Sequence, residues 1–145
     1  MPKKLDMAEI ITQIPGFENG RVHIVCAEDV EGTLFLSVQM VSDLLNKWNT
    51  NVAFFSMTGR AEALEEMVQN ESKTARLYTV NQKNPELRII IQKAQGMVNR
   101  KLVRAVIIEG IQHPDQIPQR GLEQLAISAK VPVILVGTIR DSRQM

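Results

Sequence analysis

The chain carries one cysteine, one tryptophan and one tyrosine among 145 residues, and aromatics make up only 4% of it. A single cysteine, Cys26, excludes an internal disulfide framework and fits a reducing compartment, so a cytoplasmic location is expected. Scarce aromatics argue against a function that stacks the successive bases of a single strand. An excess of one charge is also lacking: 17 Lys and Arg stand against 16 Asp and Glu, a formal net charge of +1. No global electrostatic case for nucleic acid or a membrane surface follows, and only local patches remain open. No apolar run is long enough to span a bilayer. The opening Met1-Pro2-Lys3-Lys4-Leu5-Asp6 is basic, but no apolar core follows it, so it does not read as a signal peptide.

What is present is ordinary for a globular chain, with 44% hydrophobic and 23% charged residues. The length predicts a single domain with its own core, with residues 1–15 as an N-terminal arm and 138–145 as a C-terminal tail. Short β-branched apolar runs alternate with segments of helical period, which predicts an α/β fold with a largely parallel sheet. Strands are expected at Val22–Ala27, Val52–Ser56, Arg76–Val80, Arg104–Glu109 and Val131–Gly137. The third is brief and polar-flanked, which suits a sheet edge. The fourth is continuously apolar, as a strand covered on both faces should be.

Helices are expected over Thr33–Trp48, Arg60–Gln69, Asn84–Lys101 and Asp115–Lys130. Their inward stripes read as Leu34, Val38, Val41, Leu45 and Trp48; Ala61, Leu64, Met67 and Val68; Leu87, Ile90, Ile91, Ala94 and Val98; and Leu122, Leu125, Ala126 and Ala129. Pro132 is tolerable at the start of the last strand, where it need not donate.

One stretch has the layout of a phosphate-binding loop without its chemistry. The strand ends at Ala27, Gly32 is the fifth residue after it, and an amphipathic segment follows. A working loop of this kind holds phosphates with backbone N–H groups and a Lys, and Mg²⁺ with a Ser or Thr hydroxyl. Here Thr33 falls where the Lys belongs and Leu34 where the hydroxyl belongs. Glu28, Asp29 and Glu31 would repel a polyphosphate at close range. They are read either as a solvated acidic loop or as a site for a cation or a partner's basic patch.

Four segments, in order, resemble the RecA-like motor domain of DnaB-type bacterial replicative helicases. They are Gly20–Ala27 followed by Gly32, then Val52-Ala53-Phe54-Phe55-Ser56-Met57, then Val106-Ile107-Ile108-Glu109-Gly110-Ile111-Gln112, then Lys130–Thr138. KaiC-like and RecA/RadA-like proteins share this core. The resemblance implies a three-layer α/β/α sandwich of about five mainly parallel strands in the order 3-2-4-5-1. It also implies a site with several substitutions. Beyond Thr33 and Leu34, the strand-end catalytic Glu is Thr58, the acid of the Walker B strand is Glu109 with Gln112 trailing it, and the sensor position is Thr138. The segments that hold DNA-binding loops and an arginine finger look shortened. Phosphoryl transfer needs metal, phosphate cradle, oriented water and charge neutralisation together, and several of these are replaced at once.

The expected function is therefore non-catalytic. It is that of a degenerate RecA-like module for protein interaction, assembly or regulation, linked to DNA replication or recombination. No cofactor and no metal are expected. The expected partner is a second copy of the chain or an active RecA-like ATPase. The alternative is a nucleotide- or nucleic-acid-binding protein that keeps weak ATP binding at a helix N-terminus. An unrelated enzyme using Glu109, His113 and Asp115 ranks last, because no spacing supports a specific reaction. Glu109 itself is read as a strand-end carboxylate that is solvated or paired with an Arg. Cys26 is read as a small buried hydrophobe, His23 as a packed or edge histidine, and Trp48 and Met57 as core or interface.

Overall fold

The computed structural model describes residues 20, 22–81, 87–111 and 119–138. Five strands and four helices alternate along the chain: β1 (Val22–Ala27), α1 (Val30–Asn46), β2 (Val52–Ser56), α2 (Ala61–Met67), β3 (Leu77–Asn81), α3 (Leu87–Asn99), β4 (Ala105–Ile111), α4 (Gln119–Ala129) and β5 (Val133–Thr138). The strands form one parallel sheet in the order β1-β5-β4-β2-β3, which is 3-2-4-5-1 read from the other edge. Parallel neighbours need crossovers, and a helix supplies each one. β3 lies at one edge, as its brevity suggested, and β1 at the other.

Strand alternation splits the core into two layers. Val52, Phe54, Ile107, Ile134 and Val136 pack with Met40, Val41, Leu44 and Leu45 of α1 and Leu64 of α2. Ala53, Phe55, Val106, Ile108, Val133 and Leu135 pack with Leu87, Ile90 and Ala94 of α3 and Leu122, Leu125 and Ala126 of α4. Side chains facing both layers make β2 and the apolar part of β4 buried throughout. Burial of each such large side chain contributes about 1.5–3 kcal/mol. The Pro132 carbonyl accepts from the Val106 N–H at 3.1 Å, and its missing donor falls just ahead of β5, which starts at Val133.

Several expectations shift. Helix α1 begins at Val30, three residues before the expected Thr33, because Asp29 caps it. Its stripe is rotated: Thr33, Ser37, Met40, Val41, Leu44 and Leu45 are buried, while Leu34 and Val38 flank them half-buried. Buried hydroxyls fit this face because they bond their own helix. Thr33 Oγ1 donates to the Val30 carbonyl at 2.6 Å, and Ser37 Oγ to the Thr33 carbonyl at 2.8 Å. Trp48 lies beyond the helix and is 42% exposed, and Met67 at the end of α2 is 45% exposed. Cys26 is exposed rather than buried, because β1 is an edge strand and Cys26 shares its less covered face with Ile24, itself 60% exposed. His23 lies half-buried in the same edge strand. Met57 packs half-buried against the α3/α4 layer. The early parts of the third and fourth expected helices, from Asn84 and Asp115, lie outside the described residues, as do Gln112, His113, the N-terminal arm and residues 139–145 of the tail.

Candidate functional site

In a parallel sheet, ligands bind beyond the carboxyl ends of the strands. There the structure brings together Thr33, Thr58 and Glu109 from the sequence-derived set, and adds Ser56. Glu109 has no exposed surface. It is neither solvated nor held by an Arg among the described residues, as had been expected; it sits among hydroxyls instead. Ser56 Oγ donates to Oε1 at 2.6 Å. Thr58 Oγ1 lies 2.9 Å from Oε1 and 3.0 Å from Oε2, so its single proton is shared between them. Thr33 Oγ1 stands 3.4 Å from Oε2, but its proton has the shorter path to the Val30 carbonyl at 2.6 Å. The firm donors are therefore Ser56 and Thr58. Ser56 Oγ also accepts the Arg60 N–H at 2.9 Å.

Local sequence explains how these groups meet. Ser56 and Glu109 are paired positions on adjacent strands. Just beyond Glu109 the β4–β5 register slips, with Ile111 opposite Gly137. Gly110 takes φ +102° at this bulge, and a Cβ there would stand 2.8 Å from the Thr58 methyl. Glycine thus lets the Met57–Thr58 turn close over the strand end, with the Met57 N–H bonded to the Glu109 carbonyl at 2.9 Å. Ser56 was not among the sequence candidates. Its signal was a polar residue closing the buried run Val52-Ala53-Phe54-Phe55.

The phosphate-loop layout is not realised. Only Glu28 and Asp29 separate β1 from α1. Asp29 Oδ1 accepts the Gly32 N–H at 2.7 Å, and the Thr33 N–H bonds the Asp29 carbonyl at 3.1 Å. Two amides of the helix start, those of Gly32 and Thr33, are thus already bound as an N-cap and the first helical turn. Glu28 and Asp29 are exposed, and Glu31 is exposed in that first turn. Leu34 packs half-buried toward the α1/α2 layer, away from any metal-ligand role. Thr138 ends β5 half-buried, opposite Ala27. Arg60 reaches across the crevice, its guanidinium donating to the Val30 carbonyl at 2.9 Å.

Chemically, the cluster is a closed carboxylate–hydroxyl network that ties the ends of β2 and β4 together beside the start of α1. Among the described residues no group of three or more His, Cys, Asp or Glu comes together as a metal site. No helix among them is long and apolar enough to cross a membrane. The cap itself is testable. Asp29→Ala should lower stability by about 1 kcal/mol, read as a reduced urea midpoint with unchanged slope. No protein-family model matches this sequence, and no curated protein matches it.

Proposed function

We propose that this chain is a non-catalytic, RecA-like module that acts through protein contacts, in the assembly or regulation of an ATPase of DNA replication or recombination. The parallel sheet has the strand order that the resemblance implies. The observation that carries the reading is the occupied crevice. Its one buried acid is spent on Ser56 and Thr58, and its helix N-terminal amide on Asp29. A nucleotide would need a free cradle of amides, a cation and a metal-bound hydroxyl; here the Gly32 and Thr33 amides are bound to Asp29 and the Arg60 guanidinium is held by the Val30 carbonyl. Neighbouring RecA-like domains pack with this crevice at their interface. An interface of that kind does not require the ligand.

Calorimetry tests this directly. ATP or ADP with Mg²⁺ should give no binding heat. The Glu28→Ala/Thr33→Lys/Leu34→Thr variant should stay silent too, because restoring side chains does not lengthen the two-residue connection between β1 and α1. Adding the protein to a DnaB-type helicase should change that enzyme's ATPase rate or its sedimentation. Wild-type affinity in the micromolar range, equivalent to about −8 kcal/mol, would overturn the reading and make nucleotide-dependent assembly the better one.

A further inference from the structure

A cavity among the described residues lies at the opposite end of the sheet from Glu109. It measures about 890 Å³ and opens at the amino ends of β4 and β5. Val103, Ala105 and Val131 contribute an apolar floor, and Lys101, Arg104, Lys130 and Trp48 line it as well. No carboxylate lines it among the described residues. We propose that this cavity binds an acidic segment of a partner protein that inserts an aliphatic side chain between Trp48 and the valine floor.

Backbone conformation gives the second, independent observation. Helices α1, α3 and α4 all end at this cavity, and each is followed by a non-glycine residue with positive φ: Asn49 at 49°, Lys101 at 59° and Lys130 at 55°. After α3 the turn is closed by Lys101 N–H to the Val98 carbonyl and Leu102 N–H to the Met97 carbonyl. After α4, Val131 N–H bonds the Ala126 carbonyl. Glycine is the favoured residue at such a position, and a lysine there is strained. Interaction with the helix dipole does not account for it, since a lysine in the last helical turn would serve without strain. The last turns of α3 and α4 hold no basic residue. The cations sit beyond the helix ends, Lys101 two residues past Asn99 and Lys130 next to Ala129, where they border the cavity.

The occupant follows from chemistry. Three cations without a lining carboxylate call for an anion. The valine floor calls for an aliphatic group, and Trp and Arg are the residues that anchor protein interfaces. A single Trp, with no second aromatic in the lining, gives no platform for successive bases. The proposal stands whether or not the distant crevice holds nucleotide.

Trp48 is the sole tryptophan, so intrinsic fluorescence reports on this cavity alone. The probe is a blocked peptide alternating Glu and Leu, titrated at low salt beside an oligo-Glu peptide, a neutral Gln/Leu peptide and an oligothymidylate. The Glu/Leu peptide should shift the emission saturably and bind most tightly of the four. The Lys101→Gly/Arg104→Gln/Lys130→Gly variant should bind it at least about tenfold more weakly. Its melting temperature should hold or rise, because glycine relieves both strained positions. Lys73→Gln/Arg76→Gln, which removes charge at a separate cavity lined by Glu65, Lys73, Arg76 and Leu77, should bind as wild type does. Absence of a saturable shift, equal affinity in the cavity variant, or tighter binding of the oligothymidylate would each overturn the proposal.

Discussion

Ser56→Ala should destabilise the protein by about 3 kcal/mol, although it removes a single oxygen. A hydrogen bond contributes about 0.5–1.5 kcal/mol, and leaving a buried partner unsatisfied adds about 1–3 kcal/mol to the loss. Both apply here. Ser56 makes the shortest contact of the network, 2.6 Å to Glu109, whose side chain has no exposed surface. It also accepts the Arg60 N–H that opens α2. Without it, the acid depends on the shared Thr58 proton. For a chain of this size the loss corresponds to a fall in melting temperature of about 6–12 °C. A double-mutant cycle makes the test specific. In a Glu109→Gln background the same Ser56→Ala change should cost only about 1 kcal/mol, because the amide can also donate. Equal costs in both backgrounds would show that Ser56 acts through packing and the Arg60 N–H rather than through Glu109, and that the network is not what closes the crevice.

Gly110→Val should cost about 4 kcal/mol, the larger of the two effects, and Gly110→Ala about half as much. Two penalties combine at one residue. A side chain at φ +102° is strained, by about 1–3 kcal/mol, and most of all when β-branched. Its Cβ would also meet the Thr58 methyl at 2.8 Å and the Met57 Cβ at 3.2 Å, adding about 1–3 kcal/mol of overpacking. Thr58 has little room to yield, since its hydroxyl is tied to Glu109. Thermal unfolding followed by far-ultraviolet circular dichroism measures the loss. Gly59→Ala is the matched control: Gly59 has φ +78° but no atom within 4 Å of an added Cβ, so only the backbone strain remains. Equal losses at the two glycines would mean that the close approach at the strand end contributes nothing.

The two effects share an origin, since both act where β2 and β4 end. A residue's importance there depends on what the neighbouring strand brings to it. The same holds at the other end of the sheet, where three helix ends and two strand starts build the cavity around Trp48. The two ends are separate sites, and changes at one should leave the other's readout unmoved.

Much of the fold was legible in the order of residues. Val22–Ala27 and Val52–Ser56 were expected with the bounds they have. The stripe Leu87, Ile90, Ala94 and Val98 of α3 is buried as periodicity predicted. The edge position of β3 followed from its brevity, and the strand order matches that implied by the resemblance. Those features depend on neighbours within a few residues, or on a pattern carried by whole segments. Helix α1 was harder. Its rotated stripe includes Thr33 and Ser37, whose hydroxyls are satisfied by their own helix, and hydrophobicity alone does not show that. The capping role of Asp29 was readable in principle, since Asp before an amphipathic run is an N-cap signal. The loop reading assigned that residue to phosphate repulsion instead.

By itself, then, the sequence determined the alternation of strands and helices and the faces most of them bury. Only the tertiary structure decided that Glu109 is dry and held by hydroxyls, that Asp29 occupies the helix N-terminus, and that Lys101, Arg104 and Lys130 share one cavity with Trp48. The physical reason is range. Periodicity and capping are set by contacts within a turn or a pleat, whereas Ser56 meets Glu109 53 positions away through strand register, which no local pattern encodes.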